Sequence, residues 1–187
     1  VMNALFAAGT LRIYKKNPVL AKTSAAKEEL RQLGVPHAVI APVGLDNAVL
    51  KKNIPADEKM RLRKEHGFEA DDVILCNVSR LSWEKRPLEL IDLFLQVKGK
   101  KKFKLIIVGN GPLEEELNEK IRKNGLEKEV KIYPNVPYEK MWEIYEMSDY
   151  YLNMNKGEIF GMAIMEAVYY KTSVAAIRAL GPSVTLK

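Results

Sequence analysis

Two glutamates, Glu158 and Glu166, bracket seven residues in the segment Gly157-Glu158-Ile159-Phe160-Gly161-Met162-Ala163-Ile164-Met165-Glu166-Ala167. On one continuous helix they would lie about 12 Å apart. A helix starting near Phe160 instead leaves Glu158 in the loop before it. The amides of Gly161, Met162 and Ala163 then point outward and form an anion seat. A small residue at 161 lets a phosphate or sugar approach the backbone. Helical side chains lean toward the N-terminus, so Glu166 can reach back to the same ligand. One carboxylate before the seat and one behind it suit a ligand with hydroxyls on both sides of a diphosphate, because a carboxylate accepts two hydroxyls at once. The plain alternative is a capped helix carrying two surface glutamates.

A second group, Arg80-Leu81-Ser82-Trp83-Glu84-Lys85, follows directly on the apolar run Val73–Val78. Arg80 can meet a diphosphate as a planar fork and Lys85 as a point charge, although both could simply belong to a solvated loop. Trp83 reads as loop packing rather than a base platform. A third group, Gly109-Asn110-Gly111-Pro112, departs from the dinucleotide fingerprint because position 114 is Glu. It reads as a tight strand-to-helix turn. His37 and His66 have no Cys, His or carboxylate at metal-ligand spacing, and neither is expected to be a ligand or base.

The elements that must carry these loops alternate from about residue 72. Strands are expected at Val73–Val78, Phe103–Val108, Val130–Tyr133, Tyr150–Leu152 and Ser173–Ile177. The first is a continuous apolar run, as a strand buried on both faces requires, and the second reads as another buried strand. Between the strands, helices are expected over Pro87–Val97, Pro112–Asn124, Tyr138–Met147 and Phe160–Tyr170, from their apolar spacing and from Pro87 and Pro112 at first-turn positions. Alternation of this kind predicts parallel βαβ units, and hence an α/β, Rossmann-like sheet with helices on both faces. Ligands bind such sheets beyond the carboxyl ends of the strands, where the three residue groups fall. Earlier, Val19–Lys22 and Ala38–Ala41 read as short strands around a helix capped by Ser24 and running to Leu33. Pro42–Pro55 reads as a linker, and Asp57–His66 as a polar helix. The expected division is 1–41 as the tail of one domain, 42–70 as linker and lead-in helix, and 71–187 as a Rossmann-like domain cut short at its C-terminus.

Length and composition fit one globular domain or slightly more: 187 residues, 47% apolar, net charge +6. No apolar run approaches the roughly 18 residues of a membrane span, and no secretory pattern opens the chain. Val1 and the closing Thr185-Leu186-Lys187 read as cuts in a longer protein. The single cysteine, Cys76, reads as a buried, inert strand thiol of a reducing compartment. The run Lys98–Lys104 lacks interleaved aromatics beyond Phe103, which argues against a nucleic-acid groove.

In order and spacing, Arg80 with Lys85, the Gly109–Pro112 turn, Tyr133-Pro134-Asn135-Val136 and the Glu158–Glu166 segment resemble the C-terminal domain of the retaining glycosyltransferases of group 1, or family 4, which have the GT-B fold. The Val19–Leu33 stretch and Pro42-Val43-Gly44-Leu45-Asp46 resemble the end of that family's N-terminal domain and its linker. The resemblance implies transfer of a hexose from a nucleotide-diphosphate sugar, UDP- or GDP-linked, to a glycan or lipid-linked acceptor, with retention of configuration. It implies that Arg80 and Lys85 hold the diphosphate with the amides of Gly161 and Met162. Glu158 would act on the transferred sugar with Phe160 and Gly161, Glu166 would bind the ribose, and Val136 would line the base pocket. No cofactor or metal is implied. A cytoplasmic location is expected, with peripheral association of the full enzyme at the inner face of the membrane left open. The lone fragment would bind the donor without turning it over. Three departures stand out: Arg86-Pro87 and Asn135 where glycine is common, and Gly181-Pro182-Ser183 without the usual glycine pair. A Rossmann-like binding domain without transfer activity is the alternative from another class, but it has no use for Glu158 and Glu166. A nucleotide-sugar epimerase fits the motifs less well.

Overall fold

In the computed structural model, residues 2–41, 43–46, 48, 50–97, 99, 102–158 and 160–178 are described, and they fall into two compact units. The first comprises residues 1–44, 157–161 and 178–187, and the second 45–156 and 162–177.

In the first unit, helix α1 (Met2–Tyr14) precedes strand β1 (Leu20–Ala21), helix α2 (Ser24–Gln32) and strand β2 (Val39–Ile40). The strands pair in parallel. Val19, Val35 and Ala38 are buried with Leu11 and Leu30 against them. No element is expected from sequence over residues 2–14, because they carry only weak amphipathic patterning. The α2 cap is also expected one residue too late. Thr23 is the cap, its hydroxyl accepting from the Ala26 amide at 3.1 Å, and Ser24 is already helical. His37 Nε2 lies 3.0 Å from the carbonyls of Tyr14 and Asn17, which makes it a structural tie.

The second unit is built on a five-stranded, wholly parallel sheet: β3 (Val73–Val78), β4 (Phe103–Val108), β5 (Val130–Tyr133), β6 (Tyr150–Asn153) and β7 (Ser173–Ala176). Their spatial order is β5-β4-β3-β6-β7, so the chain reverses direction across the sheet after β5. The flanking helices are α3 (Glu58–Glu65), α4 (Pro87–Val97), α5 (Glu114–Lys123), α6 (Met141–Met147) and α7 (Met162–Tyr169).

Strand alternation explains the two cores. Ile74 and Cys76 of β3 and Ile106 and Val108 of β4 pack with Leu62 of α3, Ile144 and Tyr145 of α6, and Ile164 and Ala167 of α7. The intervening residues Leu75, Leu105 and Ile107 pack with Leu90, Ile91 and Phe94 of α4 and Leu117 and Ile121 of α5. Burial on both faces is why these strands read as largely apolar, broken only by Asn77 and Lys104. Cys76 is fully buried, and burial pushes its thiol up to about 12, as an inert core cysteine requires.

Helix starts differ from the sequence expectation. Pro112 and Leu113 belong to the turn, and α5 begins at Glu114. The Tyr138–Met147 segment opens as a 3-10 turn, Tyr138–Lys140, before α6. The segment expected from Phe160 becomes helical only at Met162. In each case the difference lies within the first turn, where apolar spacing does not fix a boundary to better than a residue or two.

At the amino end of the sheet, the buried Arg63 of α3 donates from Nε to the Met147 carbonyl (3.0 Å), from Nη1 to the Asp72 carbonyl (3.1 Å) and from Nη2 to Asp149 Oδ2 (2.7 Å). Asp149 also accepts from Lys59 (2.8 Å) and from the Ile74 amide (2.8 Å). Burial acts to raise the Asp149 carboxyl, but Lys59, the Ile74 amide and Arg63 outweigh it and hold it below the ordinary value.

Candidate functional site at the carboxyl ends of the strands

A cavity of about 540 Å³ opens where β3, β4 and β5 end. The last residues of β3 and β4, Val78 and Val108, form part of its floor, and the loops that follow supply Arg80, Asn110 and Val136. Met162, Ala163 and Glu166 enter from the first turns of α7. All these residues belong to the second compact unit.

The Gly109-Asn110-Gly111 turn holds these loops together, a role that sequence reading did not give it. A Cβ on Gly109 would sit 2.0 Å from the Ser79 carbonyl oxygen, and one on Gly111 2.5 Å from that of Leu81. Gly109 also takes a φ of +134°, outside the range of L side chains. The approach is fixed by hydrogen bonds: Leu81 N–H to the Asn110 carbonyl (2.8 Å), Leu113 N–H to the Leu81 carbonyl (3.0 Å) and Gly109 N–H to the Tyr133 carbonyl (3.0 Å). The Asn110 side-chain amide donates to Asn135 Oδ1 at 2.9 Å. The loop bearing Arg80 is thus stapled to the loop bearing Val136 through backbone that has no room for a side chain.

Glu166 is 8% exposed rather than a surface residue. Tyr145 donates to its Oε2 at 2.7 Å and Tyr138 to its Oε1 at 3.2 Å. Both phenols are held above their ordinary value, Tyr145 by its burial and then by the Glu166 charge, Tyr138 by partial burial and then by Glu166. Each oxygen of Glu166 accepts one phenol and keeps lone-pair capacity for a further donor. Tyr145 is fixed in turn by stacking on Tyr170, with centroids 5.8 Å apart and planes inclined by 11°. The sequence hint for this clamp is weak. Tyr138 and Tyr145 are seven residues apart, and only the packing of α6 on α7 reveals that both meet Glu166.

Arg80, Val136, Met162 and Glu166 therefore share one cavity. Lys85 lies half-buried on the 3-10 turn Trp83–Lys85 and is not among the residues lining it. Trp83 does not pack in the loop as expected but stands 68% exposed. Glu158, Phe160 and Gly161 group with the first compact unit. The Gly161 amide, expected to point outward, donates to Glu158 Oε1 at 3.1 Å, so one position of the anticipated anion seat is filled by the chain's own carboxylate. Arg86, where glycine was noted as usual, adopts a left-handed conformation (φ +56°, ψ +47°), which explains why glycine suits that position. The Gly181–Ser183 loop lies outside the described residues. Among the described residues, no group of three or more His, Cys, Asp or Glu could hold a metal, and no helix is long and apolar enough to cross a membrane.

Comparison with known proteins places the chain in a family. A family model described as glycosyl transferases group 1 matches residues 58–187. The chain is 24% identical over 139 residues, 73% of its length, to alpha-monoglucosyldiacylglycerol synthase of Streptococcus pneumoniae, of which this covers 32%. It is 26% identical over 108 residues, 58% of its length, to N-acetyl-alpha-D-glucosaminyl L-malate synthase of Bacillus anthracis, covering 28% of that protein. Among solved structures, HepE of Anabaena in complex with UDP-glucose superposes with a TM-score of 0.75 at 25% identity, covering 89% of this chain and 46% of that one. The chain spans less than half the length of each of these relatives.

Proposed function

The chain belongs to the group 1 glycosyl transferases, and from that membership we propose that it is the donor-binding part of an enzyme transferring a hexose from a nucleotide-diphosphate sugar, with retention of configuration. The observation that carries the reading is the single cavity at the carboxyl ends of the strands, which joins Arg80, the first turn of α7 and a Glu166 held by two phenols. The complex of HepE with UDP-glucose supports a nucleotide-sugar ligand in a fold of this kind.

On this reading Arg80 and Lys85 meet the diphosphate, together with the amides of Gly161 and Met162. Glu166, pre-set by Tyr138 and Tyr145, accepts the ribose hydroxyls, and Val136 lines the base pocket. Glu158, with Phe160 and Gly161, addresses the transferred sugar. Capping the Gly161 amide is compatible with that role, because a carboxylate has lone pairs left for a sugar hydroxyl. Cations and amides aimed at the leaving diphosphate would stabilise the charge that develops there, without a cofactor or metal in the reading. Residues 1–41 form the end of an acceptor-binding domain, which in the full enzyme would present a glycan or lipid-linked acceptor. The cytoplasm, with peripheral contact at the membrane, is the compartment we assign.

Calorimetry with UDP, GDP, ADP and UMP tests the reading. A diphosphate should bind more tightly than its monophosphate, because each charge-assisted contact is worth about 1.5–3 kcal/mol. Glu166→Ala should weaken nucleotide binding, whereas Glu158→Ala should weaken recognition of the attached sugar. Equal affinity for UDP and UMP removes the diphosphate assignment. The chain alone should hold the donor and leave its glycosidic bond intact, with no sustained nucleotide release from UDP- or GDP-sugars, since positioning by a second domain can supply about 7–11 kcal/mol of barrier lowering. Sustained turnover by the chain would end that part of the reading.

A further inference from the structure

A second cavity, of about 750 Å³, lies within the second unit, away from the strand ends that carry the proposed donor site. Its walls are the strap Lys51–Ala56, Lys59 of α3, Glu146 and Ser148 at the end of α6, and Tyr169–Lys171 at the end of α7. Four lysines line it against one acid, Glu146. Lys59 is engaged with Asp149 (2.8 Å) and the Ser148 carbonyl (3.1 Å). Lys51, Lys52 and Lys171 are exposed, and among the described residues none of them makes a close ion pair, although Lys51 acts at longer range on Glu58 and Lys171 on Glu146.

Three features show that the strap and the end of α7 that carry these lysines are ordered rather than loose. The Lys51 amide donates to the Tyr170 hydroxyl at 3.0 Å, tying the strap to the end of α7. The Lys51 ammonium lies 5.6 Å from the centroid of the Trp142 ring, a cation–π distance. Third, the described residues contain three non-glycine positions with positive φ, and two of them, Asn53 (+55°) and Lys171 (+60°), line this cavity. Lys171 follows α7 where a left-handed residue closes the helix: its amide donates to the Val168 carbonyl, and that of Thr172 to the Ala167 carbonyl. Glycine adopts this conformation without strain, so a lysine there keeps its charge at a conformational cost.

We propose that this cavity is a second anion site, separate from the donor site, that takes a phosphate group through Lys51, Lys52 and Lys171. Lys51, Lys52 and Lys171 on the wall of one concavity outnumber its single acid, an excess of positive charge that suits a phosphate, and a point charge on a flexible stem suits an anion that offers no fixed plane. The phosphate could come from a free phosphorylated small molecule or from the headgroup of an anionic lipid.

The test uses the whole chain saturated with UDP, so that the donor site is occupied. One arm titrates inorganic pyrophosphate by calorimetry. The other measures co-sedimentation with phosphatidylglycerol vesicles against phosphatidylcholine vesicles. Binding is expected in at least one arm, and the responding arm identifies the source. The double variant Lys52→Gln/Lys171→Gly should lose that binding at least tenfold while its UDP affinity and unfolding midpoint hold, glycine being well suited to the backbone at 171. Absence of binding in both arms overturns the proposal, as does a double variant that binds like the parent chain. Failure to bind UDP is a separate outcome that strikes the donor-site reading; the vesicle and pyrophosphate arms, repeated without UDP on the Arg80→Ala chain, then still decide this one.

Discussion

Gly109→Ala is the sharpest test of how the candidate site is assembled. The added Cβ would stand 2.0 Å from the Ser79 carbonyl oxygen and 3.0 Å from its carbon. Comfortable non-bonded contact begins near 3.5 Å, so the Ser79 carbonyl has to retreat by more than about 1 Å. That carbonyl is backbone, pinned by the Ser79 amide on Val108 O (3.0 Å) and by Leu81 N–H on Asn110 O (2.8 Å), so it cannot swing aside as a side chain would. Overpacking of this kind costs about 1–3 kcal/mol, and forcing an L residue into positive φ adds about 1–2 kcal/mol. The expected loss is the sum, about 2–5 kcal/mol. Gly125→Ala gives a lower bound on the second contribution. Gly125 also has positive φ (+59°), but its Cβ would meet nothing within 4 Å, so about 1–2 kcal/mol is expected there. Urea unfolding of the two variants measures the difference, and UDP calorimetry should show Gly109→Ala more impaired, because Arg80 adjoins the displaced carbonyl. If Gly109→Ala unfolds no more easily than Gly125→Ala, the stapled-turn argument is wrong.

Arg63→Ala should cost about 3–5 kcal/mol in chemical denaturation, because it strands the carbonyls of Met147 and Asp72 and half of the Asp149 pairing; Lys64→Ala, on the exposed side of the same helix, should stay within about 0.5 kcal/mol. Because Asp149 is held below its ordinary value, its contribution to stability should be complete above about pH 4 and fade as acid carries the pH down through the lowered value. Unfolding of Asp149→Asn should accordingly be less sensitive to acid over that range. Cys76 should resist a thiol reagent in the native chain and react only on unfolding, since burial pushes its thiol up to about 12; rapid native labelling would show that the sheet opens around it.

The sheet was open to sequence reading because its central strands, β3 and β4, are buried on both faces. Val73–Val78, Phe103–Val108 and Val130–Tyr133 occupy the bounds that their apolar runs indicate. The short elements of the first unit were harder. The strands Leu20–Ala21 and Val39–Ile40 fall inside the expected Val19–Lys22 and Ala38–Ala41 but are shorter, and Met2–Tyr14 has too little amphipathic contrast to stand out. At the candidate site, residue types and spacing singled out Arg80, Val136, Met162 and Glu166, which do share a cavity. What spacing could not convey was contact between elements: the Tyr145 phenol on Glu166, the Ser79 carbonyl against Gly109, or the Glu158 carboxylate on the Gly161 amide. Each depends on how one loop or helix docks on another, and a one-dimensional pattern does not carry that information.

The two ends of the sheet divide the work of the second unit. At the carboxyl end, close approach of loops is achieved by removing side chains, as at Gly109 and Gly111, and by exposing Arg80 to solvent. Neither device adds much packing, and glycine carries a conformational cost on folding. At the amino end, Arg63 and Asp149 tie α3, the start of β3 and the α6–β6 junction with five hydrogen bonds of 3.1 Å or less, buried around Arg63 and partly buried around Asp149. Below that network the two apolar cores run the length of the central strands. Side chains at the carboxyl end that neither pack nor staple, Arg80 above all, can therefore be exchanged with little loss of fold. Tyr145 is the exception, because the same ring that donates to Glu166 fills the core beside Tyr151 and Tyr170. Removing the ring should unfold the site, whereas removing its hydroxyl alone leaves the core packed and takes from Glu166 the shorter of its two phenol bonds.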